Sequence, residues 1–189
     1  QMRNCLYIGV ATLWLRDAAK SEEFQRATGG SLDSDKMRDR EAINRFCAFS
    51  ILGWAHYHSG DMDSFLAEAL ERMNTMSSGQ SAELRAKFDR TMRINFSLFD
   101  RHAFRKSLAS NPSGDRSVLN IALFDVCSVI LARADETVVR TRADAIRAAI
   151  RSLIQDELFR HAITYSTNSR KQVEKRFSEM EKKLSEVIS

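Results

Sequence analysis

One proline and seven glycines in 189 residues are too few for the many tight reversals of an all-β fold. Cysteine is scarce as well. Cys5, Cys47 and Cys127 lie far apart with no CxxC spacing, so neither a disulfide framework nor a thiolate metal site is expected; reduced thiols in a cytoplasmic protein are. The longest apolar run, 118–132, is too short for a bilayer and is interrupted by Asn120 and Asp125. No signal-peptide pattern and no membrane helix can be read from the chain. A glycine-rich phosphate loop, a Gly-x-Ser-x-Gly elbow, a His-Glu-x-x-His run and an HNH-like arrangement are all missing, so no catalytic residue can be named. Of the four histidines, His56 and His58 stand two apart on an expected helix and point away from each other. His102 and His161 are isolated beside arginines that disfavour a cation, and no metal site is expected.

What the chain does contain is helical periodicity. Apolar residues make up 43% and charged residues 29%, a balance that suits an all-α irregular bundle of one domain over 1–189. About seven or eight helices are expected. The first covers 6–19, a short one lies around Phe24, and Gly29-Gly30 ends it by supplying positive φ. A long helix over 37–58 carries Phe46, Cys47, Ile51, Trp54 and Tyr57, and stops at Gly60. Asp61 caps the next helix, whose stripe is Phe65, Leu66, Ala69, Leu70 and Met73; the two should form a hairpin. Ser77 and Gln80 have capping-box spacing before a helix apolar at Leu84, Phe88, Met92, Phe96 and Phe99 and basic at Arg85, Lys87, Arg90 and Arg93. After the Asn111-Pro112-Ser113-Gly114 break, 117–132 is apolar nearly all round and should be the centre of the bundle. A mixed-charge helix near 135–152 and a short one with Phe159 follow. Ser169 and Gln172 then open a last helix with a Val173, Phe177, Met180, Leu184, Val187 seam, suited to packing inside the chain or to a homodimer.

Asn120 and Asp125 are five apart and cannot share a face of the central helix, so each should satisfy a helix end or an arginine. Arg105 and Arg116 are the partners expected for Asp125. The formal charge of +4 and isoelectric point near 9.1 hint at nucleic acid only where the charge is clustered. Such a cluster stands at the start of the last helix. Thr167, Asn168 and Ser169 offer hydroxyl, amide and backbone donors to a phosphate, and Arg170, Lys171, Lys175 and Arg176 supply the neutralising charge. Glu174, Glu179 and Glu181 interleave with them, as on an ordinary solvated helix. A second charged group, Arg38, Asp39, Arg40 and Glu41, crowds the start of a helix that is otherwise core. It reads as helix-dipole complement and as a contact edge rather than as an active site.

The block from Met37 to Phe46, followed by Gly60-Asp61-Met62-Asp63-Ser64-Phe65-Leu66, resembles the carboxy-terminal helical half of the GmrSD restriction endonuclease family. These are the ParB-like-nuclease-related, modification-dependent DNA restriction proteins of bacterial phage defence. Arg3-Asn4-Cys5-Leu6-Tyr7, Asn120 to Asp125, and Thr167-Asn168-Ser169 with Arg176-Phe177 agree with it in order and rough spacing. The Asp-Gly-Gln-Gln-Arg type motif of the family's amino-terminal catalytic half is absent, so the chain is expected to be the carboxy-terminal part of a longer protein. The resemblance implies an accessory domain for DNA engagement or interdomain assembly, without catalysis or a cofactor of its own, in a parent that uses nucleotide and divalent metal. Expected partners are duplex DNA, the amino-terminal half of the same protein, which Arg38 to Glu41 would face, and a second copy. A regulatory scaffold without DNA contact is the other reading.

Overall fold

Local capping signals delimit most of the helices. The computed structural model describes residues 9–188, so the Arg3 to Tyr7 segment and Cys5 lie outside the described residues. Eleven α-helices make up the chain there, with no strand: α1 Val10–Ala19, α2 Glu22–Thr28, α3 Arg38–Ile51, α4 Met62–Asn74, α5 Ser78–Phe99, α6 Ser107–Ser110, α7 Ile121–Leu131, α8 Glu136–Thr141, α9 Ala143–Gln155, α10 Glu157–Ala162 and α11 Arg170–Ile188. None of them is long and apolar enough to cross a membrane.

The all-α expectation is met, with more and shorter helices than expected. Ser21 accepts from the Phe24 amide, and Gly29 at φ 61° closes α2. Asp61 accepts from the amides of Asp63 and Ser64, and Ser77 and Gln80 form the reciprocal box that starts α5. The long helix expected over 37–58 breaks at Ile51, because Gly53 takes φ 83° and a 3-10 turn, Trp54–His56, follows. Apolar spacing alone does not register such a glycine. The mixed-charge helix is likewise two, divided at Arg142.

The central helix is shorter than 117–132 because Asn120 is its cap. Its Oδ1 accepts from the Leu123 amide at 2.9 Å and its Nδ2 donates to the Ile163 carbonyl at 2.7 Å. Leu119 before it pairs with Arg105 in an isolated antiparallel bridge, and the Asn120 amide donates to the Phe104 carbonyl at 2.9 Å. From Ala122 to Leu131 every residue of α7 is buried, and α3, α5 and α11 all pack against it. Around this axis α4 packs on α3, α2 on α5, and α9 on α11, all sharing one hydrophobic core. Val173, Phe177, Met180 and Leu184 of the last helix are buried in that core, so the seam is consumed inside the chain.

Cys47 and Cys127 are free thiols within the core. Burial pushes both upward, Cys127 to about 12, and no counter-charge offsets this. Both should therefore resist a thiol reagent such as DTNB in the native protein and react promptly in denaturant. Fast labelling of either under native conditions would contradict this packing.

Candidate functional site

Three helices place charged groups at the middle of the core. Asp125, on α7, is completely buried and accepts from two arginines of distant sequence. Arg45 of α3 grips it in a fork, Nε donating to Oδ1 at 2.9 Å and Nη2 to Oδ2 at 2.6 Å. Arg176 of α11 donates from Nη2 to the same Oδ2 at 2.9 Å. Both guanidiniums are also tied to the loop before α11. Arg45 Nη1 donates to the Asn168 side-chain oxygen at 3.2 Å, Arg176 Nη1 to the Thr167 carbonyl at 2.6 Å, and the Tyr57 hydroxyl to the Asn168 carbonyl.

One carboxylate shared between two guanidiniums leaves a surplus positive charge in the interior. Burial opposes the charge on both arginines. For Arg45 the fork on Asp125 more than reverses that effect and its pKa rises. Arg176 falls to about 10, because burial outweighs its single bond to Asp125 and Arg45 repels it. At neutral pH both remain charged. The arrangement is a clamp that holds α3, α7, α11 and the 164–169 loop together, with Arg176 Nε left without a partner.

The expected partners of Asp125 were Arg105 and Arg116, and this is corrected. Arg105 is buried elsewhere, donating to the carbonyls of Ala103 and Thr28 and to the Ser31 hydroxyl. Arg116 lies against the Gly29 carbonyl. Neither is on a helix adjoining Asp125, whereas α3 and α11 both pack on α7.

The seven expected nucleic-acid residues fall into two groups. Arg176 has no exposed surface and faces Asp125, while Thr167 and Asn168 give their carbonyls to Arg176 and to the Tyr57 hydroxyl. Ser169 caps α11 through a 3.4 Å contact with the Gln172 amide. Lys175 donates to Glu179 at 3.0 Å, one turn on. Arg170 and Lys171 are exposed and form no ion pair among the described residues. The neighbouring α10 and the loop after it add residues that sequence spacing did not single out. Lys106 donates to the Thr164 hydroxyl at 2.6 Å, and that hydroxyl donates to the Arg160 carbonyl. Burial and the nearby positive charge of Arg160 lower the Lys106 pKa. The His161 ring lies 5.2 Å from that of Tyr165, which is 62% exposed, and His161 also meets the Gln172 amide at 3.3 Å. Lys171, Gln172, Lys175, His161 and Leu158 line a groove of about 670 Å³, with Glu174 and Glu179 at its wall. An exposed tyrosine among cations was the one available signal for the α10 side.

Of the charged block at the start of α3, Arg38 and Glu41 are exposed, while Asp39 is turned in and accepts from the Arg40 amide at 2.7 Å. Arg40 is half-buried, its Nε without a hydrogen-bond partner. Met37, in the left-handed region at φ 55°, precedes the helix, and the Arg38 amide bonds to the Asp33 carbonyl. The block is therefore partly spent on holding its own loop.

His56 and His58 do not diverge as expected, because the helix ends before them. Their rings lie 5.9 Å apart, and His56 Nε2 is 3.1 Å from Glu68. No group of three metal-ligating side chains occurs among the described residues. Comparison with protein-family models, with curated proteins and with solved structures finds no match.

Proposed function

We propose that this chain is the helical accessory domain of a GmrSD-like, nucleotide-dependent DNA restriction protein and that its α10–α11 edge contacts the phosphate backbone of duplex DNA. The observation that supports this reading is the set of exposed cations Arg160 on α10 and Arg170 and Lys171 on α11, with Lys106 hydrogen-bonded to Thr164 and Tyr165 exposed in the loop between the two helices. Cations at an unblocked edge neutralise phosphates and release counterions without reading sequence. The clamp on Asp125 contributes by holding the 164–169 loop, so the edge is presented on a rigid support. In this reading the domain carries no chemistry itself. The parent's nucleotide and metal belong to the amino-terminal half, towards which Arg38 and Glu41 face as a polar contact.

A protein-binding scaffold without DNA contact is the second reading, and it draws on Leu158, an exposed apolar side chain in the groove with Glu174 and Glu179. Titration of duplex DNA at several salt concentrations separates the two. The DNA reading expects affinity that falls steeply with salt, and a log–log slope smaller by about 2 in the Arg170→Ala, Lys171→Ala double variant. Absence of binding at low salt would leave the scaffold reading. Arg176→Ala is unsuitable for this purpose, since it would test folding.

A further inference from the structure

The turn after α5 and one face of α9 enclose a second basic groove, remote in sequence from the α10–α11 edge. Asp100, Arg101, His102, Pro112, Arg147 and Arg151 line it, around a volume of about 620 Å³. Arg101 donates one Nη2 bond to the Gly114 carbonyl at 2.8 Å, and Arg151 donates from Nε to the Leu108 carbonyl at 3.1 Å. Arg147 is bound by Asp144 at 2.6 Å. Each guanidinium has further N–H groups beyond these bonds, and Asp100 is the one carboxylate in the lining.

His102 supplies the deciding detail. It is only 5% exposed, and its Nε2 has no hydrogen-bond partner. Its Nδ1 lies 2.9 Å from the Ser107 hydroxyl. That hydroxyl oxygen also accepts from the Ser117 amide at 3.0 Å, and its own proton can go to Nδ1. In that tautomer the ring proton sits on Nε2, a buried donor without an acceptor in a wall that also carries Arg101, Arg147 and Arg151. A buried unpaired donor is costly, and an anion would relieve it.

We propose that this groove binds the phosphoryl group of a small molecule, with Arg101, Arg147 and Arg151 meeting its oxygens and His102 Nε2 donating to one of them. A guanidinium fork fits carboxylate and phosphate alike, and three cations around one groove favour the doubly charged, three-oxygen phosphoryl group by charge and by number of acceptors. Burial, and then repulsion from Arg101 and Arg105, lowers the His102 pKa against the opposing pull of Asp100. A dianion beside it should draw the titration upward.

Calorimetric titration of the full chain with inorganic phosphate, glycerol phosphate and glycerol tests the proposal and separates free phosphate from a phosphate monoester. Saturable binding of either phosphate, with none of glycerol, is expected. The Arg147→Gln, Arg151→Gln double variant should weaken it at least tenfold, and the more exposed Arg101→Gln variant should do so with the circular dichroism spectrum unchanged. Imidazole NMR should show the His102 pKa rising with bound phosphate. No saturable binding at millimolar ligand and low salt would overturn the proposal. So would undiminished affinity in both arginine variants, or an equal loss in the Arg170→Ala, Lys171→Ala variant, which would move the site to the other edge.

Discussion

Replacing Asp125 by alanine is expected to destabilise the fold by about 3–5 kcal/mol, because two buried guanidiniums would be left without their shared carboxylate. For a chain of this size that is a fall in melting temperature of roughly 6–20 °C. Thermal and urea unfolding would measure it, and a loss below about 1 kcal/mol would mean the clamp is not closed as described. A companion variant, Arg45→Met with Asp125→Leu and Arg176→Met, tests a different point. Apolar groups of similar volume often replace a buried ionic triad at no cost in stability. If the triple variant folds as stably as the parent chain but its α10–α11 edge loses affinity for DNA, the clamp serves positioning rather than stability. The geometry favours that outcome, since three of the clamp's bonds run to Thr167 and Asn168, immediately before Arg170 and Lys171.

Phe88→Ala should be comparably damaging for a different reason. Phe88 is fully buried, and its ring meets Trp14 of α1 at 6.1 Å, Phe24 of α2 at 5.8 Å and Phe46 of α3 at 5.1 Å between centroids. Removing the ring takes contacts from three helices at once, and their backbones, fixed by caps and by α7, can close the gap only in part. A cost of about 3–5 kcal/mol is expected, read as a lower urea midpoint with unchanged slope. Leu158→Ala, on the exposed wall of the α10–α11 groove, is the matched comparison and should lie within about 0.5 kcal/mol of the parent chain. Equal effects from the two would contradict the assignment of core and surface.

The fold was legible wherever a signal is local. The caps at Asp61 and Ser77, the αL stop at Gly29 and the apolar face of α7 are each complete within a few residues of chain. Breaks were less legible. The apolar spacing of Trp54 and Tyr57 continues through Gly53 as though the helix did, and only the backbone conformation at that glycine divides them. The candidate site was legible in part. Arg170 and Lys171 are surface cations, as their place in a charged run implies, but Arg176, equally basic in sequence, faces Asp125 in the core. A helical register one position off the apolar residues Val173 and Phe177 is compatible with either outcome. What chooses is the carboxylate on α7, which lies 51 residues away along the chain.

Sequence alone therefore determined the class of the fold, the caps at Asp61 and Ser77 and its central helix, because each depends on residue type and short-range spacing. Tertiary structure alone decided where charge ends up. It placed Arg45 and Arg176 together on Asp125, left Arg170 and Lys171 exposed, and gathered Arg101, His102, Arg147 and Arg151 around one groove. The physical reason is that burial and charge pairing are set by which helices meet, and contacts between residues 43 to 123 positions apart leave no periodic trace in the chain.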